Sequence, residues 1–256
     1  MILSGAVLGP FLDSYHSLFH VLQYDQPLTL NVVALPSTIK NAWLVLVTTY
    51  WVPPLFGIAG FLIGWMYILF DIYYDSNNST NINPNERNFT LVVDRSPSPP
   101  KILCGIAYFT FQYWLSGLLF QSGVDRTSIF GIMLLTASIG FFTWDRTKSG
   151  FLTSTAIAIG GPLIEVGLIS LSRHDALFHG MGYHYTDLGE TGFFPLWIVP
   201  IYFLGGPANG NLARGYWTLL SPAKVDSNSE KITATTPPSL PCANCNDTRC
   251  AMCPNW

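Results

Sequence analysis

Apolar runs long enough to cross a membrane alternate with polar breaks along most of the chain. The first, Ile2–Leu22, is interrupted by Pro10, Asp13, His16 and His20, which makes it the weakest span. The second, from about Ala42 to Tyr73, exceeds one membrane thickness, and Pro53-Pro54 divide it into a short aromatic lead-in and a main helix, Leu55–Phe70. Further runs follow at Ile102–Phe120, Ser128–Trp144, Phe151–Leu171 and roughly Phe193–Leu204, the last extending through Gly205-Gly206-Pro207 toward Trp217. A spanning helix needs about 20 mainly apolar residues, whereas a barrel strand needs about ten of alternating character. Most of these runs are continuously apolar, so the pattern predicts an all-α, polytopic bundle of six transmembrane helices.

The polar stretches set the domain organisation. Residues 74–101 are rich in Asn, Ser and Pro and read as a loop. From Ser221 onward Ser, Thr, Pro and Asn dominate, so the expected division is a membrane domain over 1–219 and a disordered cytosolic tail over 220–256. Gly60 and Gly64 form a G-x-x-x-G pair suited to close helix approach. Gly160-Gly161-Pro162 and the glycines from 205 to 210 read as helix breaks where a rearrangement could occur.

Composition agrees with a membrane location. Charged residues make up 11% of the chain, against about 25% in ordinary soluble domains. A net charge of -3 and the lack of a basic run argue against a nucleic-acid partner. Basic residues give the orientation. Arg87, Arg95, Lys101, Arg146, Lys148, Arg214, Lys224, Lys231 and Arg249 fall on one side, against Lys40, Arg126 and Arg173 on the other. Nine to three places both termini in the cytosol. The glycosylation sequons at Asn77, Asn78, Asn88 and Asn246 would then face the cytosol. Expression in cells that glycosylate should leave all four bare, with no mobility shift after endoglycosidase; a glycan on Asn88 would reverse the assignment.

Candidate chemistry is sparse. Ionisable residues within membrane segments are costly and default to functional candidates; here they are Asp13, His16, His20 and Glu165. Asp13 and His16 are three apart, on one helical face, and could pair with each other. Asp145 ends the fourth helix, where an acid opposes the macrodipole; it could cap the following helix or pair with Arg146 or Lys148. Arg173, His174, Asp175, His179 and His184 gather in one loop, but the H-x4-H-x4-H spacing fits no standard metal template. In the tail, Cys242, Cys245, Cys250 and Cys253 form two C-x-x-C pairs that could hold tetrahedral zinc, or remain a solvated or acylated cluster. No G-x-S-x-G, H-E-x-x-H, P-loop or C-x-x-C-H motif is present.

Three segments, in this order, resemble the Insig (insulin-induced gene) family: WVPPLFGIAGFLIGWMYILFD at 51–71, FFTWDRTKSG at 141–150 and GGPANGNLAR at 205–214. The similarity covers roughly residues 1–217 and looks like that of a divergent, non-animal member. The resemblance implies six helices in the endoplasmic-reticulum membrane with cytosolic termini. It implies a non-catalytic adaptor that binds an oxysterol or other lipid between its helices and regulates sterol and lipid homeostasis through membrane partners. In animals the loaded protein retains the escort of a sterol-regulated transcription factor and recruits the sterol-synthesising reductase for degradation. Fungal relatives attend the reductase, and microbial ones can hold a diacylglycerol. By the resemblance, Asp145 takes the partner-binding position, Phe141 an aromatic position of the lipid pocket where animal proteins carry Trp, and Ser128 the position of a glutamine near that pocket. The longer 74–101 loop and the cysteine tail depart from the family pattern. The alternative is a membrane enzyme acting on lipids, with Asp13, His16 or Glu165 as acid and base.

Overall fold

The computed structural model describes residues 1–31, 45–78, 96–174 and 182–221. The tail cysteines Cys242, Cys245, Cys250 and Cys253, the sequons at Asn88 and Asn246, and Asp175 and His179 lie outside the described residues. Six helices form the unit Met1–Ser221: α1 (Ile2–Leu18), α2 (Val52–Asn78), α3 (Pro99–Gln121), α4 (Arg126–Trp144), α5 (Lys148–His174) and α6 (Ile198–Leu220). The fold is therefore the all-α membrane bundle expected from the pattern.

Local chemistry sets the helix starts. Pro53-Pro54 and Pro99-Pro100 occupy first turns, where a missing N–H breaks no helical hydrogen bond. Asp125 caps α4 by accepting from the Ser128 amide at 2.9 Å. That hydrogen-bonding to Ser128 holds the Asp125 carboxyl below its ordinary range.

Four helices, α2 to α5, are long and apolar enough to cross a membrane by length and composition. Their outer faces carry Ile58, Leu62, Leu134, Leu135, Ile139, Leu163 and Ile164, all exposed. Apolar surface on that scale needs hydrocarbon around it. α1 has 17 residues, a rise of about 26 Å against a hydrocarbon core of about 30 Å. α6 is the central helix: it packs against α2, α3, α4 and α5, and it buries Asn211 and Arg214.

Contacts at the two ends fix the alternating course of the chain. At the end where the chain begins, Ser4 on α1 hydrogen-bonds Tyr216 on α6 (2.9 Å). At the opposite end, β1 (Leu22–Tyr24) pairs antiparallel with β4 (Tyr183–Tyr185), Tyr24 facing Tyr183. A second ladder joins β2 (Leu28–Asn31) to β3 (Val45–Thr48). The turn from α1 into β1 passes through His20 at φ 58°.

The structure corrects three expectations. First, α5 and α6 run unbroken through Gly160-Gly161-Pro162 and Gly205-Gly206-Pro207. The glycines let side chains close in: a Cβ on Gly161 would lie 2.4 Å from the Tyr202 ring, one on Gly206 2.0 Å from Ser154 Oγ, and one on Gly210 2.2 Å from Tyr67. Second, α6 starts at Ile198 rather than Phe193, because Thr191 turns the chain there by accepting from the Phe193 and Phe194 amides. Third, the strands were not expected, since three- and four-residue strands between polar turns give no periodic signal.

Candidate functional site

The polar residues inside the bundle form two groups, one toward each end, with a cavity between α1 and α2 linking the helices that carry them.

The first group is built on Arg214 of α6. Its Nε donates to Asp71 Oδ2 at 2.6 Å and its Nη2 to Asp71 Oδ1 at 2.8 Å, a two-pronged pairing with the carboxylate near the end of α2. Nη1 donates to Asp145 Oδ1 at 3.1 Å, and Nη2 to Thr147 Oγ1 at 3.2 Å. The Ser149 hydroxyl also donates to Asp71. The guanidinium lies over the Tyr67 ring, 4.8 Å from its centroid. The Arg214 side chain is 4% exposed and both aspartate side chains 0%, so the two carboxylates and one cation are shut off from water. One ion cluster thus ties α2, the α4–α5 turn and α6.

Asp145 does not pair with Arg146 or Lys148. Its Oδ1 instead accepts from the Thr147 hydroxyl at 2.6 Å and more weakly from the Thr147 amide at 3.3 Å. Thr147 in turn accepts from the Gly150 amide, so the cap runs through threonine. Arg146 reverses the chain in a left-handed conformation, φ 67°. Asn211 closes the same end of the bundle by donating to the Trp144 carbonyl at 3.0 Å.

The second group lies nearer the strand-bearing end. Asp13 accepts from Tyr24 at 2.8 Å; Glu165 accepts from Tyr185 at 2.7 Å and from Tyr202. His16 and Asp13 are not each other's partners: His16 bonds Ser116 at 2.9 Å and stacks on Tyr113 with ring centroids 4.7 Å apart. The cavity, about 90 Å³, has walls from every helix except α4, including Gly5, Gly9, Phe56 and Gly60, with Tyr113 and Tyr202 among its few polar residues.

The other sequence-predicted positions lie elsewhere. Ser128 is exposed in the first turn of α4 and does not line the cavity. Phe141 is buried among Phe142, Phe151 and Phe203, also away from the cavity. His184 sits 3.7 Å from Asp25, and among the described residues no group of three or more His, Cys, Asp or Glu side chains could hold a metal. Arg214, Asp71 and Ser149 were missed as functional positions. Their signal was a lone acid and a lone base in two apolar helices, since a membrane interior tolerates such charges mainly as pairs.

A helical membrane bundle with a central helix that buries Asn211 and Arg214 and an ion-locked end is the class these features define. No protein-family model matches the chain, and no curated protein sequence matches it. Among solved structures, the chain is similar to an Insig homologue from Mycobacterium vanbaalenii, with a TM-score of 0.56 and 17% identity over 83% of this chain and 89% of that one. A cross-linked trimer of that same homologue gives the same values. The chain has an Insig-like fold. Asp71, Asp145 and Arg214, one from each of the three motif segments, are the residues that meet in the ion cluster.

Proposed function

We propose that the protein is a non-catalytic, lipid-responsive adaptor of the endoplasmic-reticulum membrane. In this reading it holds a sterol or diacylglycerol within the bundle and regulates sterol and lipid homeostasis by binding membrane proteins of sterol synthesis or sterol-regulated transport. The observation that carries it is the apolar cavity between α1 and α2 inside an Insig-like bundle. At about 90 Å³ it falls short of the roughly 300–1,000 Å³ of sites that enclose drug-sized ligands. A whole sterol or diacylglycerol would therefore enter only as α1 and α2 part, which couples occupancy to helix position. A ligand that binds the parted state better shifts the bundle toward it.

The enzyme reading would need an acid or base in the cavity wall. Neither Asp13 nor Glu165 lines it: Glu165 is held by the hydroxyl of Tyr202, a wall residue, and Asp13 by that of Tyr24. That arrangement favours the adaptor. Partner binding at Asp145 would act through the α4–α5 turn that its carboxylate organises, because the side chain itself is enclosed.

Co-purification from native membranes, with mass spectrometry of bound lipids and proteins, tests the proposal. Wild-type protein should carry sterol or diacylglycerol above background together with a discrete membrane partner. Asp145→Ala should lose the partner and keep the lipid, because the turn lies away from the cavity. Equal partner recovery from both forms would remove Asp145 from the interface, and absence of lipid from both would remove the sensing role.

A further inference from the structure

The wall of the cavity carries no charge, since none of the residues that line it is Lys, Arg, His, Asp or Glu. A charged lipid head brought against that wall would leave water with nothing to balance it. The wall therefore suits a neutral occupant. Its three polar side chains, Tyr113, Tyr202 and Asn209, are not equivalent. Tyr202 donates its hydroxyl proton to Glu165, and the half-buried Asn209 donates from its amide to the Gly205 carbonyl of its own helix at 3.0 Å. Tyr113 is 5% exposed, and its hydroxyl has no hydrogen-bond partner among the described residues.

The Tyr113 ring is nonetheless held in place. It stacks on His16 with centroids 4.7 Å apart and packs edge-to-face with Phe109 at 5.3 Å, so the ring, and not a bond of its own, positions the hydroxyl. A buried phenol without a partner is costly, and a ligand that supplies one gains by it. Along the cavity, Gly5 to Leu12 on α1 and Asn209 back to Tyr202 on α6 each cover about 10 Å. The two helices run in opposite senses, because Ser4 at the start of α1 meets Tyr216 near the end of α6. His16 lies one turn beyond Leu12, which puts Tyr113 at the Leu12 end of the cavity.

We propose that Tyr113 sets the ligand specificity of the cavity by hydrogen-bonding the free hydroxyl of a neutral lipid alcohol, whose apolar body runs along α1 toward Gly5. A phenol hydroxyl both donates and accepts, as an alcohol does, so the two groups satisfy each other where water is excluded. A sterol and a diacylglycerol share that chemistry, one free hydroxyl on a largely apolar body, whereas fatty acids and phospholipids bring charge. This inference rests on the reading that the cavity holds a lipid, and it names the group that the lipid must carry and the residue that reads it.

The test titrates full-length protein in maltoside micelles with two matched pairs, read by native mass spectrometry: cholesterol against 5-cholestene, and 1,2-dioleoylglycerol against its 3-deoxy analogue. In at least one pair the alcohol should bind tighter than the analogue that lacks the hydroxyl, and the pair that shows it identifies the source. Tyr113→Phe keeps the ring and its stacking on His16. It should weaken that alcohol about tenfold and leave the deoxy analogue unchanged. Equal weakening of both members of a pair, or of neither, would overturn the role of Tyr113. Should Tyr113→Phe not fold, the wild type decides: deoxy analogues bound as tightly as both alcohols would overturn the hydroxyl site and leave the lipid cavity standing. If neither pair binds while the purified protein carries a lipid, the hydroxyl site alone falls. If no lipid is present either, the lipid-holding role falls with it.

Discussion

Arg214→Ala will destabilise the bundle by about 3–5 kcal/mol, the usual cost of removing one member of a buried ion pair. The loss is large because the guanidinium serves two enclosed carboxylates, Asp71 and Asp145, and without it both lack their shared cation. Arg214→Lys should fall between, since an ammonium keeps the charge but cannot reproduce the two-pronged bond to Asp71. Burial also means little screening, so high salt should not reproduce the effect. Denaturant or thermal unfolding in detergent measures it, and the variant Asp71→Asn/Asp145→Asn/Arg214→Met supplies the control. That triple change removes all three charges together and should recover most of the lost stability. If Arg214→Ala unfolds at the wild-type midpoint, the cluster is not what ties α2, the α4–α5 turn and α6 together.

That cluster also marks where the sequence was readable and where it was not. The helices were legible because hydrocarbon demands long continuous apolar runs, and α3 and α4 lie within a few residues of the runs that predicted them. The convergence of Asp71, Asp145 and Arg214 was legible only as three separate motifs. Nothing in local spacing says that positions 143 and 69 residues apart will meet. The pairing of Asp13 with Tyr24 rather than His16 was hidden for a related reason. A three-residue offset on a helix permits a pair, but the tyrosine came from β1, a strand too short to announce itself. The Gly-Gly-Pro segments misled in the opposite direction. Their composition is that of a break, yet in α5 and α6 the missing side chains are filled by Tyr202, Ser154 and Tyr67 from neighbouring helices. Glycine in a membrane helix is ambiguous between hinge and contact until its neighbour is known.

A pair of identical substitutions separates those two meanings. Gly5→Ala adds a methyl group that would lie 2.3 Å from the Phe56 carbonyl oxygen and 3.1 Å from its carbon. The obstacle is the backbone of α2, which no rotamer change can move aside, so α1 must shift as a body. Overpacking of this kind costs about 1–3 kcal/mol, and here it acts on two helices that line the cavity. Gly131→Ala makes the same chemical change on α4, where none of the described residues lies within 4 Å of the new methyl group outside its own helix backbone. There the gain in helix propensity should stabilise the protein by up to about 1 kcal/mol. Unfolding in detergent should therefore give opposite signs for the two variants. Lipid retained through purification should drop for Gly5→Ala and stay constant for Gly131→Ala, because only the first displaces a wall of the cavity. Matching effects would mean that α1 and α2 are not held in contact through Gly5, and that the cavity between them does not depend on the closeness of their backbones.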